Sequence, residues 1–233
     1  FWALRELDTF NTVLDHDQHP RESVHEDIAE RVLELAQERC SPLLAEVRIE
    51  EREVRDLAVR SRQLSGISSF RDCGMNVRVV LSSGVGFASS NRVSKTVGAE
   101  LARRAIKIAK SSHRKSQVML SSEPAVSTSW GVREKRRLKD VSSEEKAEFL
   151  RSLDSSAMKT KAKVQGRYYT LRDYETGSYF ANSEGSRIQS YLPRFVVEAT
   201  LVVSSKGDSE QSIREWAATG GWEKVQEMNL EQQ

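Results

Sequence analysis

Cysteine is scarce in this chain. Cys40 and Cys73 are the only two in 233 residues, too few and too far apart for a disulfide scaffold or a thiolate zinc site, so they read as reduced structural thiols. Long apolar runs are also missing: no stretch reaches the roughly 18 residues of a membrane-spanning helix. Phe1–Phe10 is too charged for the hydrophobic part of a signal peptide. Both absences predict a cytoplasmic chain. Net charge is close to absent, since 36 basic and 34 acidic side chains leave +2, and such a weak overall field excludes neither sign of ligand but argues for neither nucleic acid nor a membrane. The chain begins at Phe1 rather than Met, as a processed, trimmed or fragmentary chain would.

Catalytic signatures are sparse too. There is no Gly-x-Ser-x-Gly elbow and no phosphate-binding Gly-x-x-x-x-Gly-Lys loop. His25-Glu26-Asp27-Ile28-Ala29-Glu30 opens like the helical zinc motif His-Glu-x-x-His, but Ala29 stands where the second His is needed. His25 and Glu30 would lie about 140° apart around a helix, so His25 and Glu26 read as solvated helix residues. His16 and His19, with Asp15 and Asp17, form a polar break without a third or fourth ligand. His113 falls at a predicted helix C-terminus, where a cation is favoured. No metal ligand is therefore assigned in this chain.

What is present is a pattern of alternating strands and amphipathic helices. Val77, Val79 and Leu81 alternate with Arg78, and Ser82-Ser83-Gly84 supplies turn chemistry before a short strand around Phe87. Ser94 then caps a helix over about 97–111 whose apolar stripe is Val97, Leu101, Ala105 and Ile108. Upstream, Val24, Ile28, Val32 and Leu35 mark a helix to about Arg39, ended by Ser41-Pro42. Leu43, Ala45, Val47 and Ile49 alternate with Glu46, Arg48 and Glu50, a strand with one wet face. A further strand is expected within Val54–Ser65, closed by Gly66.

Downstream, Ser142-x-x-Glu145 is a capping box before a helix with Phe149, Leu150, Leu153 and Ala157 on its apolar face. Strands are expected at Ala162–Asp173, Gly177–Asn182, Arg187–Tyr191 and Arg194–Ser204, and a short one at Val118–Leu120. The fold class is α+β, with helix–sheet layers in two modules, 1–112 and 142–233, joined by a segment over 113–141. Gly86-Phe87-Ala88-Ser89-Ser90-Asn91 parallels Tyr179-Phe180-Ala181-Asn182-Ser183-Glu184. A divergent duplication is one reading of that parallel, and a chance match of short Ser-rich stretches is the other. The basic run Arg133–Lys139 could touch phosphates, but only Trp130 is near to stack a base, so a solvated crossing loop is expected. Tyr168, Tyr169, Tyr174, Tyr179 and Phe180 read as sheet packing, and an exposed edge there would suit strand addition by a peptide.

Gly74-x-x-Val77-Arg78-Val79 followed by Gly84-x-Gly86-Phe87-Ala88-x-x-Asn91 resembles the N-terminal domain of the TldD/PmbA family. Glu46-Val47-Arg48-Ile49-Glu50 upstream, Asn182-Ser183-Glu184-Gly185 downstream and Gly220-Gly221-Trp222-Glu223 near the end match in the same order. The resemblance implies a cytoplasmic zinc metallopeptidase acting on unfolded or extended peptides, with the zinc ligands in a C-terminal domain not contained here. It implies a homodimer, or a heterodimer of TldD-type and PmbA-type subunits, and a non-catalytic PmbA-like partner is the alternative reading. Arg78, Phe87, Asn91, Asn182 and Glu184 are carried over as candidate substrate-binding or interface residues. Asn76, where the family more often has Gly, and Ser82-Ser83 depart from the pattern.

Overall fold

A computed structural model describes residues 22–112, 117–159, 163–205 and 208–230. Asp15, His16, Asp17, His19 and His113 lie outside the described residues. Along the chain, α1 (Glu22–Cys40) leads into β1 (Leu44–Arg60), β2 (Gln63–Leu81) and β3 (Gly84–Ser90). Then come α2 (Lys95–Ser111), β4 (Ser127–Gly131), α3 (Ser143–Ala157), β5 (Lys163–Asn182), β6 (Arg187–Ser205), β7 (Asp208–Thr219) and α4 (Trp222–Glu227). Among the described residues the sheet order is β3-β2-β1-β5-β6-β4, with β7 also paired to β6. The β2–β3 and β6–β7 pairs are antiparallel and β4–β6 is parallel. The class is α+β.

Contacts divide the chain into two compact units, neither continuous in sequence. The first draws on 1–52, 72–131 and 176–191, the second on 53–71, 132–175 and 192–233. The strands β1, β2, β5 and β6 each give a stretch to both, so contacts cut the chain differently from the modules 1–112 and 142–233.

In the first unit α1 and α2 pack on the apolar face of the sheet. Ile28, Val32, Leu35 and Ala36 of α1 meet Val47, Ile49, Val77, Val79 and Leu101 in one core. Ser94 caps α2 as expected, its side chain accepting from the Val97 N–H. The buried face of α2 differs from the expected stripe: it is Gly98, Leu101, Ala102, Ala105, Ile106 and Ala109, while Ile108 is exposed. Small residues take the core because α2 lies almost backbone to backbone on β3. A Cβ on Gly86 would sit 1.9 Å from the Ala105 carbonyl oxygen, and one on Gly84 would sit 2.2 Å from that of Ser112.

In the second unit α3 and α4 cover Leu57, Val59, Tyr169, Leu171, Phe195 and Val197. Ser142 caps α3 by accepting from the Glu145 N–H. The other half of the expected capping box is diverted, because the Glu145 carboxylate takes both terminal nitrogens of Arg136 at 2.6 and 2.5 Å. Trp222 stands edge-on to Phe149 with centroids 5.5 Å apart. The Trp222 backbone N–H donates to the Arg136 carbonyl at 2.8 Å, and Leu138 is fully buried. The basic run is thus anchored to this core at Arg136 and Leu138. The Gly-Gly-Trp-Glu element has a steric reason as well: Gly220 has φ +138°, and a Cβ on Gly221 would lie 2.4 Å from the Arg136 oxygen.

Several strands run further than expected. Gly66 does not close one; β1 and β2 form a long hairpin turning at Ser61 and Arg62, both at positive φ. Likewise β5 continues through 174–176, and β6 through Leu192 and Pro193. Pro193 is tolerated because it falls where β6 changes edge neighbour: β4 pairs with Arg187–Tyr191 and the last residue of β7, Thr219, lies opposite Arg194, so no ladder bond needs its missing N–H. The strands β4 and β7 had no counterpart in the expected pattern, whereas Val118–Leu120 is not a strand; Val118 donates to the Ser82 carbonyl from an irregular segment.

Among the described residues, three carboxyls are held below their ordinary value of 4.5. At Glu53 and Glu223 burial pushes up, but Arg55 and Arg71 outweigh it at Glu53, as do backbone N–H groups at Glu223. At Glu145 the Arg136 hydrogen bonds dominate. Depressed folded values contribute stability that is present above the unfolded value and lost as pH falls through the folded ones. A urea midpoint flat from pH 7 to about 5 and falling steadily below about 4.5 is expected; a midpoint unchanged at pH 3 would contradict these pairings.

Candidate functional site

The alternation of β1 creates the site. Val47 and Ile49 are buried, which turns Arg48, Glu50 and Arg52 to the opposite face of the sheet. There they line a groove of about 730 Å³ in the first unit, together with Asp72, Cys73, Gly74, Met75 and Asn76 of β2 and Ser89, Ser90 and Asn91 at the end of β3. Its lining is mainly polar. Glu50 accepts from Arg52 at 3.2 Å, the Arg48 guanidinium lies over the Phe180 ring with its carbon 5.7 Å from the centroid, and the Cys73 thiol donates to the Asn91 carbonyl at 3.4 Å.

The five residues carried over from the family resemblance fall in three places. Arg78 and Phe87 are cross-strand partners on β2 and β3. Arg78 is paired with Glu46, whose hydrogen bond holds the guanidinium above its ordinary value, and Phe87 is 54% exposed. Asn91 lines the groove. Asn182 ends β5 and Glu184 lies in the turn to β6, and neither lines the groove.

Asn182 is a framework residue. Its buried side-chain oxygen accepts from the Glu184 N–H at 3.1 Å and the Ser186 N–H at 2.8 Å, while Gly185 takes φ +98°. Ser183 ties the turn to β1 by exchanging hydrogen bonds with Ala45 at 2.8 and 2.9 Å. Asn182→Ala is expected to cost about 1–3 kcal/mol by stranding two N–H groups, and Glu184→Ala, on an exposed side chain, less than about 0.5 kcal/mol. Chemical denaturation of the two variants checks this, and equal losses would overturn the assignment.

Arg48, Glu50, Arg52, Asp72, Asn76, Ser89 and Ser90 were not among the candidate site residues carried over from the resemblance. The signal for the first three was the polar phase of β1; nothing local linked them to Asp72 or Ser89.

His25 approaches the Glu51 carboxylate at 3.3 Å with its side chain 17% exposed, so it is a half-buried residue beside a carboxylate rather than a solvated one. Among the described residues no group of three His, Cys, Asp or Glu side chains is placed to hold a metal ion; a His–Glu pair alone does not fit zinc. Cys40 and Cys73 are free thiols, and burial pushes the Cys40 thiol up, with Lys110 partly opposing it. Tyr169 and Tyr179 are buried in the sheet; burial, then the charge of Asp154, pushes the Tyr169 phenol up to about 12. No helix among the described residues is long and apolar enough to cross a membrane.

The class comes from two family models, both of metallopeptidase domains. The model of the first PmbA/TldA metallopeptidase domain matches residues 45–109, and that of the central domain matches 136–231. The chain belongs to the PmbA/TldD family. It is 28% identical over 188 residues to a metalloprotease of Methanocaldococcus jannaschii, an alignment covering 80% of this chain and 41% of that protein. It spans about two fifths of the length of the curated relatives it matches.

Two of the solved structures that share the fold illustrate the likeness. One is TldE from Thermococcus kodakarensis, with TM-score 0.61, 18% identity and coverage of 81% of this chain and 42% of that one. The other, from Bacteroides thetaiotaomicron and named as a candidate modulator of DNA gyrase, has TM-score 0.64, 12% identity and coverage of 83% and 44%.

Proposed function

We propose that this chain is the non-metal, N-terminal part of a TldD-type zinc metallopeptidase of the cytoplasm, shaping the substrate cavity and the subunit interface for hydrolysis of unfolded or extended peptides. The observation that carries the reading is the match of two consecutive metallopeptidase domains of one family over 45–109 and 136–231. The groove supports it from the residues upward, because a polar trough lined by strands can lay out an extended backbone and offer it amide and hydroxyl partners. Zinc and its ligands belong, in this reading, to the C-terminal part of the parent protein, and the parent acts as a homodimer or pairs with a TldD/PmbA-type subunit.

The test compares this chain with the full-length gene product for zinc content and for cleavage of an unstructured peptide. Stoichiometric zinc and chelator-sensitive cleavage in the full-length protein alone are expected. Zinc in the isolated chain would overturn the division of labour. A full-length protein with neither zinc nor cleavage would instead be the PmbA-like partner subunit.

A further inference from the structure

We infer that the groove of the first unit selects extended peptides carrying a carboxylate side chain, and that Arg48 is the specificity residue that reads it. The inference rests on the peptide-binding reading above and names its substrate class. Charge bookkeeping around the groove decides the matter. Glu50 and Arg52 satisfy each other at 3.2 Å. Arg48 has no carboxylate partner among the described residues; what holds it is the Phe180 ring at 5.7 Å. A guanidinium placed over a ring keeps its N–H edge available, and that edge matches a planar carboxylate with two parallel hydrogen bonds.

The rest of the lining narrows the ligand further. Asp72 is exposed and has no cationic partner among the described residues, so it opposes a ligand of continuous negative charge, such as a nucleic acid, and accepts one of mixed charge. Asn76, Ser89, Ser90 and Asn91 offer neutral donors and acceptors, as the amides of an extended backbone require. A volume of about 730 Å³ accommodates a side chain with flanking backbone rather than a single small ion.

The experiment uses the full-length gene product and two fluorescein-labelled unstructured peptides, identical except for a central Glu or Gln, followed by anisotropy. The Glu peptide is expected to bind about tenfold more tightly, as a charge-assisted bidentate pair provides. Arg48→Gln should bring the ratio to about one, and Arg48→Lys should retain only part of the preference. Arg48 is exposed, so both variants should keep the wild-type circular dichroism and melting temperature. Equal binding of the Glu and Gln peptides to the wild type would overturn the carboxylate inference and leave the peptide reading intact. Binding of neither peptide would remove both.

Discussion

Gly86→Ala is expected to lower the stability of this chain by about 3 kcal/mol or more, at the upper end of what overpacking costs. The added methyl would meet backbone on α2: the Ala105 oxygen at 1.9 Å and the Ala109 nitrogen at 2.6 Å. Backbone cannot swing aside as a flexible side chain can. Accommodation therefore requires α2 to lift off β3, and the lift also opens contacts with α1, since Gly98 already places α2 where a Cβ would be 2.9 Å from Val32. Gly177→Ala is the control. Nothing lies within 4 Å of a Cβ there and its φ is not in the left-handed range, so the change should be neutral or stabilise by a few tenths of a kcal/mol. Thermal and urea denaturation of both variants decides the matter: a Gly86→Ala protein that unfolds with the wild type would mean that β3 and α2 do not approach as described.

Asp173→Ala is expected to be comparably damaging, by about 3–5 kcal/mol. Asp173 is almost wholly buried, accepting from Lys146 at 2.6 Å and from Arg55 at 2.7 Å, and the Lys146 side chain is itself 5% exposed. Removing the carboxylate leaves that ammonium buried with no counter-charge and Arg55 with only Glu175 and Glu53, at 3.4 and 3.3 Å. Burial pushes the Arg55 guanidinium down, but the hydrogen bond and charge of Asp173, with Glu175 and Glu53, outweigh it. Lys146→Met should cost less, about 1–2 kcal/mol, because Asp173 keeps Arg55 while the methionine fills the vacated space. Denaturant midpoints in that order support the arrangement. An Asp173→Ala protein within about 1 kcal/mol of wild type would show that the cluster is solvated and screened.

The two predictions fall differently on what could be read in advance. Gly86 stands in a hairpin whose turn and following cap were legible, because Ser82-Ser83-Gly84 and Ser94 act on backbone within a few residues of themselves. That Gly86 admits no side chain was not legible, since the atoms it would strike belong to another element. Asp173 looked like the polar end of a strand at a break before Gly177. Its burial follows from a lysine on α3 and an arginine on β1 that converge on it only in three dimensions. The same division explains the missed strands. All of Gln63–Asp72, and most of β7, is exposed, so no apolar alternation marks them; backbone pairing with a neighbouring strand holds them, and that pairing leaves no period in the side chains.

For the candidate site, the wet phase of β1 was visible in Glu46, Arg48 and Glu50, and Asn91 was carried over from the family resemblance. The family resemblance picked out Arg78, Phe87, Asn182 and Glu184 as well; the structure sets Arg78 opposite Phe87 and makes Asn182 the organiser of a turn. By itself the sequence determined the helix caps, the β2–β3 turn and the α+β class, because caps, turns and alternation are carried by neighbouring residues, and its motifs carried the family resemblance. Tertiary structure alone decided which strands run on, which helix face is buried and which charges share a groove. Those outcomes depend on backbone pairing and close approach between segments far apart in the chain, and no local pattern of side chains encodes such distances.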